Sequence, residues 1–241
     1  MSTSPQQPGP VVVVTGASQG IGAAIAEAFA KRVPGVRLAL VARNANKLAA
    51  VADTCRRSGA TVEVQVADLT DHAAVERMAA AVHDRFGTVD VLINNAGSWK
   101  GGAAHEMSVA DFVQVLQANL VSLFAVTRAF LARMLDRGSG DIFLMSSTSG
   151  LQGLANNSAY CAAKHGVSGY AKALRAEVAG RGIRVSCVYP GGTDTPTWDG
   201  SGVDTSKLMS AADIADVFVD AYRLSRRTMM EDIVLRPLAG P

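Results

Sequence analysis

Tyr160 and Lys164 stand four residues apart, and Ser147 lies thirteen residues before the tyrosine. In a helix, a spacing of four places the phenol and the ammonium on one face. The positive charge favours the phenolate, so we expect the pKa of Tyr160 to fall below its ordinary value of about 10. The Ser147 hydroxyl can stabilise a developing alkoxide. The three side chains predict proton exchange with a carbonyl oxygen, although a Tyr-x-x-x-Lys pair alone is frequent by chance.

Asn119 is a fourth candidate, because it interrupts an apolar helical stripe. The helix is expected to begin after a Ser108-x-x-Asp111 cap and to continue to about residue 136. The stripe consists of Phe112, Leu116, Asn119, Leu123, Val126 and Phe130. A buried amide needs hydrogen-bond partners. Asn119 therefore either binds backbone together with a water that relays protons to Lys164, or makes a structural bond to a neighbouring strand.

The N-terminal part of the chain contains a glycine-rich turn between a valine-rich strand and a helix. Its glycines are Gly16, Gly20 and Gly22. Glycine permits a positive φ and lets the backbone approach a pyrophosphate, and the helix N-terminus favours negative charge. The turn therefore predicts a dinucleotide site, with an ordinary glycine turn as the alternative. Its other candidate contacts are Ser18, Gln19 and Ile21.

Arg43 follows the second strand, where an NAD site requires a carboxylate for the ribose 2′-hydroxyl. No acidic residue occurs between Glu27 and Asp53. A guanidinium binds a 2′-phosphate well, so the sequence favours NADP(H) over NAD(H). The alternative is that Arg43 is a solvated loop residue.

Seven strands alternate with helices along the chain, which predicts a Rossmann-type α/β fold, a doubly wound parallel sheet with helices on both faces. Asp68 follows the third strand, and residues 94–97 (Asn-Asn-Ala-Gly) follow the fourth. Since ligands bind beyond the carboxyl ends of such strands, these positions are cofactor candidates, with plain capping or turn residues as alternatives. Residues 1–10 are expected to form a flexible tail and residues 11–241 a single domain. The segment of about residues 191–207 is expected to form a substrate loop.

The composition excludes several function classes. The chain has 241 residues, a hydrophobic content of 49% and a net charge of +2. This charge gives no reason to expect nucleic acid or a membrane surface as a partner. No apolar run approaches the roughly 18 residues of a membrane span. The three cysteines lack metal-ligand spacing, which indicates reduced thiols, a cytoplasmic protein and no metal site.

The motifs jointly resemble the short-chain dehydrogenase/reductase family in its compact one-domain form, and the 3-oxoacyl reductases in particular. The resemblance runs from Val11 to about Pro237. It implies that Tyr160 is the acid–base residue, that Lys164 holds the nicotinamide ribose and tunes the phenol, and that Ser147 positions the carbonyl. Asn119 is implied to anchor a water relay. The implied cofactor contacts, beyond those of the glycine turn, are Arg43, Asp68, Leu69, Asn95, Ala96, Gly97, Tyr160, Lys164, Pro190, Gly191, Thr193 and Thr195.

The resemblance also leaves choices open. NADP-using relatives often carry a basic residue just before the second glycine, where this chain has Gln19. Relatives commonly assemble through two long helices, which implies a homotetramer or homodimer. The expected activity is reduction of a carbonyl, or oxidation of a secondary alcohol, with NADP(H). NAD-dependent alcohol oxidation and non-catalytic dinucleotide binding are the alternatives, and the small-molecule substrate is not identified.

Overall fold

The computed structural model describes residues 9–238, and residues 1–8 of the expected N-terminal tail lie outside them. The strands are β1 (Val11–Thr15), β2 (Arg37–Ala42), β3 (Thr61–Val66), β4 (Val91–Asn94), β5 (Gly140–Met145), β6 (Ile183–Pro190) and β7 (Asp232–Leu235). The helices are α1 (Gly20–Arg32), α2 (Ala45–Arg57), α3 (His72–Phe86), α4 (Val109–Leu116), α5 (Ser122–Arg137), α6 (Ser158–Glu177) and α7 (Ala211–Arg223).

The strands form one parallel sheet in the order β3-β2-β1-β4-β5-β6-β7. Alternate side chains enter separate cores on the two faces of the sheet. Val11 and Val13 pack with α3, α5 and α6, whereas Val12 and Val14 pack with α1, α2 and α7. The predicted doubly wound fold is confirmed.

Strand order reverses between β1 and β4, so the loops that follow these two strands flank a crevice at the sheet edge. The loop after β1 holds the three glycines, and residues 95–97 follow β4. Both predicted nucleotide segments therefore lie at the position where doubly wound sheets bind ligands.

The long helix expected from Ser108 onwards is not a continuous α-helix. Residues Gln117–Val121 form a π-helical turn between α4 and α5, and Asn119 lies at its centre. The backbone N–H of Ser122 bonds to the Gln117 carbonyl, five residues back. The carbonyls that this turn bypasses still require donors, and polar side chains supply them.

The expectation that no segment resembles a membrane span was wrong. The continuous helical stretch Val109–Arg137 is 29 residues long and contains an 18-residue window with a mean hydropathy of 1.6. Length and composition alone are weak evidence, because a core helix of a soluble protein passes the same test. In this chain the stretch contributes Leu123, Val126 and Phe130 to the core beside the sheet.

The loop of residues 191–207 is better ordered than its composition predicts. It contains two short 3₁₀ turns, Pro196–Trp198 and Thr205–Lys207. Thr193 pairs with Met209, and the Trp198 indole donates to the Thr193 carbonyl at 2.9 Å. These contacts attach the start of the loop to the segment that leads into α7.

Candidate active site

Helix α6 brings Tyr160 and Lys164 to the edge of the sheet, as their spacing predicts. Lys164 is only 3% exposed, and its ammonium donates to the Met145 carbonyl at the end of β5, at 2.9 Å. The same ammonium lies 5.4 Å from the centroid of the Tyr160 ring. The residues that follow on this face, Val167, Ala171, Leu174 and Val178, are buried in the core.

Ser147 reaches the same point from β5. It is the residue that precedes a 3₁₀ turn, and its hydroxyl accepts the Ser149 N–H at 3.1 Å. The hydroxyl also lies beside the Tyr160 phenol, and this polar contact acts to lower the pKa of the phenol. Serine, tyrosine and lysine thus come together from two separate elements.

The expected lowering of the Tyr160 pKa was wrong. Loss of hydration is the largest influence, and it raises the pKa of the phenol to about 12 despite the contact with Ser147. Burial likewise lowers the pKa of Lys164 to about 8. The reason is that both groups are desolvated together, while the ammonium is directed at a carbonyl rather than at the phenol oxygen.

Asn119 is almost completely buried, with 1% exposure. Its side-chain amide donates to the carbonyls of Ser98 at 2.7 Å and Val115 at 2.9 Å, and its Oδ1 accepts the Ser98 N–H at 3.3 Å. Ser122 donates its hydroxyl to the Ala118 carbonyl at 2.9 Å. Both side chains thus satisfy carbonyls four residues earlier at the π turn. Sequence reasoning missed Ser122, which only the altered helical register distinguishes from an ordinary surface serine.

Gly97 connects Asn119 with Lys164. A Cβ at this position would lie 2.5 Å from Asn119 Oδ1 and 3.7 Å from Lys164 Nζ. Only a residue without a side chain lets the loop after β4 pass between these two groups. Glycine is needed at this position because the backbone passes close to two side chains, not because its φ is unusual.

The loops after β1 and β4 are joined by direct hydrogen bonds. Thr15 Oγ1 accepts the N–H groups of Asn95 and Ala96, each at 3.0 Å, and the Asn95 amide donates to the Thr15 carbonyl at 2.9 Å. Gly22 packs against Gly16, because a Cβ on Gly22 would lie 2.3 Å from the Gly16 carbonyl oxygen. Thr15 was absent from the predicted site, although it anchors two of the predicted contacts.

The turn itself fits a phosphate group. Gly16 and Gly20 have φ values of 67° and 57°, which side-chain-bearing residues rarely adopt. Gln19 is the N-cap residue of α1, yet its side chain makes no capping bond and no acidic residue occupies the first turn. The N-terminal amides of α1 therefore have no side-chain partner at the cap, as a dinucleotide pyrophosphate requires.

The remaining cofactor candidates surround this turn, with some exceptions. Arg43 is exposed at the end of β2, and its charge helps the Thr70 bonds to lower the pKa of Asp68. Thr195 packs on Gly20, since a Cβ there would lie 3.4 Å from its methyl group. The side chain of Leu69 is buried in the core rather than exposed beside the turn. Ser18 and Ile21 are partly exposed beside the glycines. Pro190 is the last residue of β6, and the Gly191 N–H bonds to the Leu235 carbonyl at 2.8 Å.

The loops after β4 and β5 carry exposed apolar side chains and form a candidate substrate wall. Trp99, Leu151 and Leu154 are 57%, 46% and 44% exposed. The Trp99 indole donates to Asn157 Oδ1 at 2.6 Å, and Asn157 precedes the first residue of α6. The wall is thus attached to the helix that carries Tyr160.

Known proteins resemble this chain in sequence and in fold. A family model described as short chain dehydrogenase matches residues 10–204. The chain belongs to the short-chain dehydrogenase family. This short-chain dehydrogenase is 34% identical over 236 residues to the sepiapterin reductase of Chlorobaculum tepidum, covering 95% of this chain and 97% of that protein.

Solved structures of the family resemble this short-chain dehydrogenase closely. A variant of actinorhodin polyketide ketoreductase with NADPH has a TM-score of 0.85 and 31% identity, covering 95% of this chain and 96% of that one. A metagenomic short-chain oxidoreductase in complex with NADP has a TM-score of 0.84 and 33% identity, covering 96% and 98%. The family assignment makes the protein an oxidoreductase.

Proposed function

We propose that this short-chain dehydrogenase uses NADP(H) to reduce a carbonyl, or to oxidise a secondary alcohol, with Tyr160 as the general acid–base. One observation carries the proposal: the Ser147 hydroxyl and the Lys164 ammonium both lie beside the Tyr160 ring. The site is at the sheet edge next to the glycine turn, so a dinucleotide held there would extend toward the phenol.

The side chains supply the proton chemistry. The bound dinucleotide supplies or accepts the hydride. With a pKa of about 12, Tyr160 is protonated at neutral pH and can donate to the carbonyl oxygen during reduction. Ser147 donates a hydrogen bond to the same oxygen, and the Lys164 charge stabilises the phenolate that remains. Oxidation runs the same proton transfer in reverse.

Asn119 acts in this proposal as a positioning residue. Its amide hydrogens are both committed to backbone carbonyls, which holds the loop of Ser98 against the π turn. Oδ1 already accepts the Ser98 N–H. A water that relays protons to Lys164 can therefore bind this side chain only through the second lone pair of Oδ1.

Replacing the phenol with a phenyl ring tests the catalytic assignment. Tyr160→Phe should lower kcat by about 10²- to 10⁴-fold, because the positioned proton donor is lost. The Kd for NADPH, measured by fluorescence titration, should change little. Tyr170→Phe is the matched control on the same helix and should retain activity. Turnover in Tyr160→Phe equal to that of the parent enzyme would defeat the assignment.

Arg43 supports NADP(H) as the cofactor. It stands exposed beyond β2, and the segment between Glu27 and Asp53 offers no carboxylate for a ribose 2′-hydroxyl. Arg43→Ala should weaken NADPH about tenfold or more and leave NADH nearly unchanged, since a charged hydrogen-bond pair is lost. Equal weakening of both cofactors would defeat the assignment of Arg43 to the 2′-phosphate.

Retention of Ser147, Tyr160 and Lys164 favours an enzyme over a non-catalytic regulator. A panel of ketones, followed by loss of NADPH absorbance, should therefore contain a substrate. We also infer a homo-oligomer, because helices α4 and α5 expose Val109, Val113 and Phe124. Light scattering coupled to gel filtration measures that state directly.

A further inference from the structure

A hydrogen bond joins the glycine turn to the first turn of α2. Lys47 Nζ donates to Gln19 Oε1 at 2.7 Å. Gln19 precedes α1 and leaves that helix without a side-chain cap, so its amide is available for the lysine. The ammonium is thereby placed at the rim of the turn.

The helix dipole disfavours a cation at the position of Lys47. A cation in the first turn of a helix opposes the helix dipole, and the first turn of α2 contains no acidic residue. Among residues 9–238, no carboxylate lies within salt-bridge distance of Lys47 or of Arg43. Arg43 thus stands after β2, and Lys47 of α2 is bonded to the residue that precedes α1, and neither cation has an ion-pair partner in the part of the chain that the structure describes.

Neighbouring strands bring the two cations to the same edge. Thr15 of β1 pairs with Val41 of β2, and the Ala17 N–H bonds to the Val41 carbonyl at 3.2 Å. The glycine turn therefore runs alongside the Arg43 backbone. An ammonium has three donors, of which Gln19 takes one, so two remain for a ligand.

We propose that Lys47, held by Gln19, is a second cation of the subsite for the 2′-phosphate of NADP(H). The inference rests on the proposed function and adds to Arg43 a group from a different element. Gln19 restricts the lysine rotamers before the ligand arrives, which reduces the entropy lost on binding. Arg43 supplies a planar fork and Lys47 a compact charge, so a phosphate monoester dianion can be neutralised from two sides.

Binding of adenosine 2′,5′-bisphosphate, measured by calorimetry on the full chain, isolates this subsite from turnover. Lys47→Gln should weaken this ligand about tenfold, since one charged hydrogen bond is lost, and should leave 5′-AMP unchanged. Arg57→Gln is the matched control, because it removes the same charge ten residues later on α2, about 15 Å away. Equal binding by Lys47→Gln and Arg57→Gln would overturn the inference.

A rescue variant distinguishes a missing charge from a structural defect. Gln19→Arg places a cation where the Lys47 ammonium lies, so adding it to Lys47→Gln should restore binding of the bisphosphate to within about threefold of the parent. Failure of this rescue in a folded protein would assign Lys47 a structural role.

The outcome for Arg43 separates the two proposals. If Arg43→Ala weakens the bisphosphate while Lys47→Gln does not, only the Lys47 inference fails. If neither variant weakens it and NADPH binds no better than NADH, the proposed preference for NADP(H) fails as well.

Discussion

Replacing Lys164 with methionine should stabilise the ligand-free protein while it removes catalysis. The side chain is 3% exposed, and burial lowers its pKa from 10.5 to about 8. At 1.36 kcal/mol per pKa unit, keeping this lysine charged costs about 3 kcal/mol of folding free energy at neutral pH. The substitution also removes the hydrogen bond to the Met145 carbonyl. Losing this bond cancels roughly 1 to 2 kcal/mol of the gain.

The net gain should therefore be about 1 to 2 kcal/mol, equivalent to a rise in Tm of roughly 4 °C for a chain of this size. Its pH dependence identifies the cause. Because the folded-state pKa is the lower one, the unfolded chain binds more protons between about pH 8 and 10.5, so parental stability rises over that range. The advantage of Lys164→Met should be complete below about pH 8 and should shrink as the pH rises toward 10.5.

Urea denaturation of both ligand-free proteins at neutral and alkaline pH measures this difference. Lys172→Met is the control, since Lys172 is exposed on the same helix and should show no such pH dependence. A Lys164→Met protein that is less stable than the parent at pH 7, or whose advantage is independent of pH, would refute the reasoning.

Three further outcomes follow from the same contacts. Gly97→Ala should reduce kcat by at least about tenfold, because its Cβ would lie 2.5 Å from Asn119 Oδ1. Circular dichroism checks that the variant is folded, and normal kinetics in the folded variant would contradict the prediction. Asp141→Asn should cost about 3 kcal/mol in urea denaturation, since Arg184 Nη2 donates to the buried carboxylate at 3.0 Å; an unchanged midpoint would argue against it. In carbonyl reduction, kcat/KM should fall above about pH 8, where Lys164 loses its proton; a flat profile to pH 10 would separate the lysine charge from catalysis.

The order of the elements and the residues that share the candidate catalytic face could be predicted from the sequence alone. Alternating valine-rich strands and amphipathic helices leave few folds other than a doubly wound sheet. The four-residue spacing placed Tyr160 and Lys164 on one face, because helical periodicity is a local property.

Properties that depend on distant contacts could not be predicted. The π turn at Asn119 arises where its amide meets the Ser98 backbone, and periodicity alone predicts an uninterrupted helix. The direction of the Tyr160 pKa shift was predicted wrongly, because desolvation depends on all the surrounding atoms rather than on the nearest charge.

The sequence by itself determined which polar residues stand at the candidate site and that the preceding strands end at one edge of a sheet. Tertiary structure decided what each of them faces. Lys164 points to the Met145 carbonyl, and Lys47 reaches Gln19 across 28 residues of chain. Local pattern specifies the face on which a side chain lies, whereas its partner and its hydration are set only when separate elements pack together.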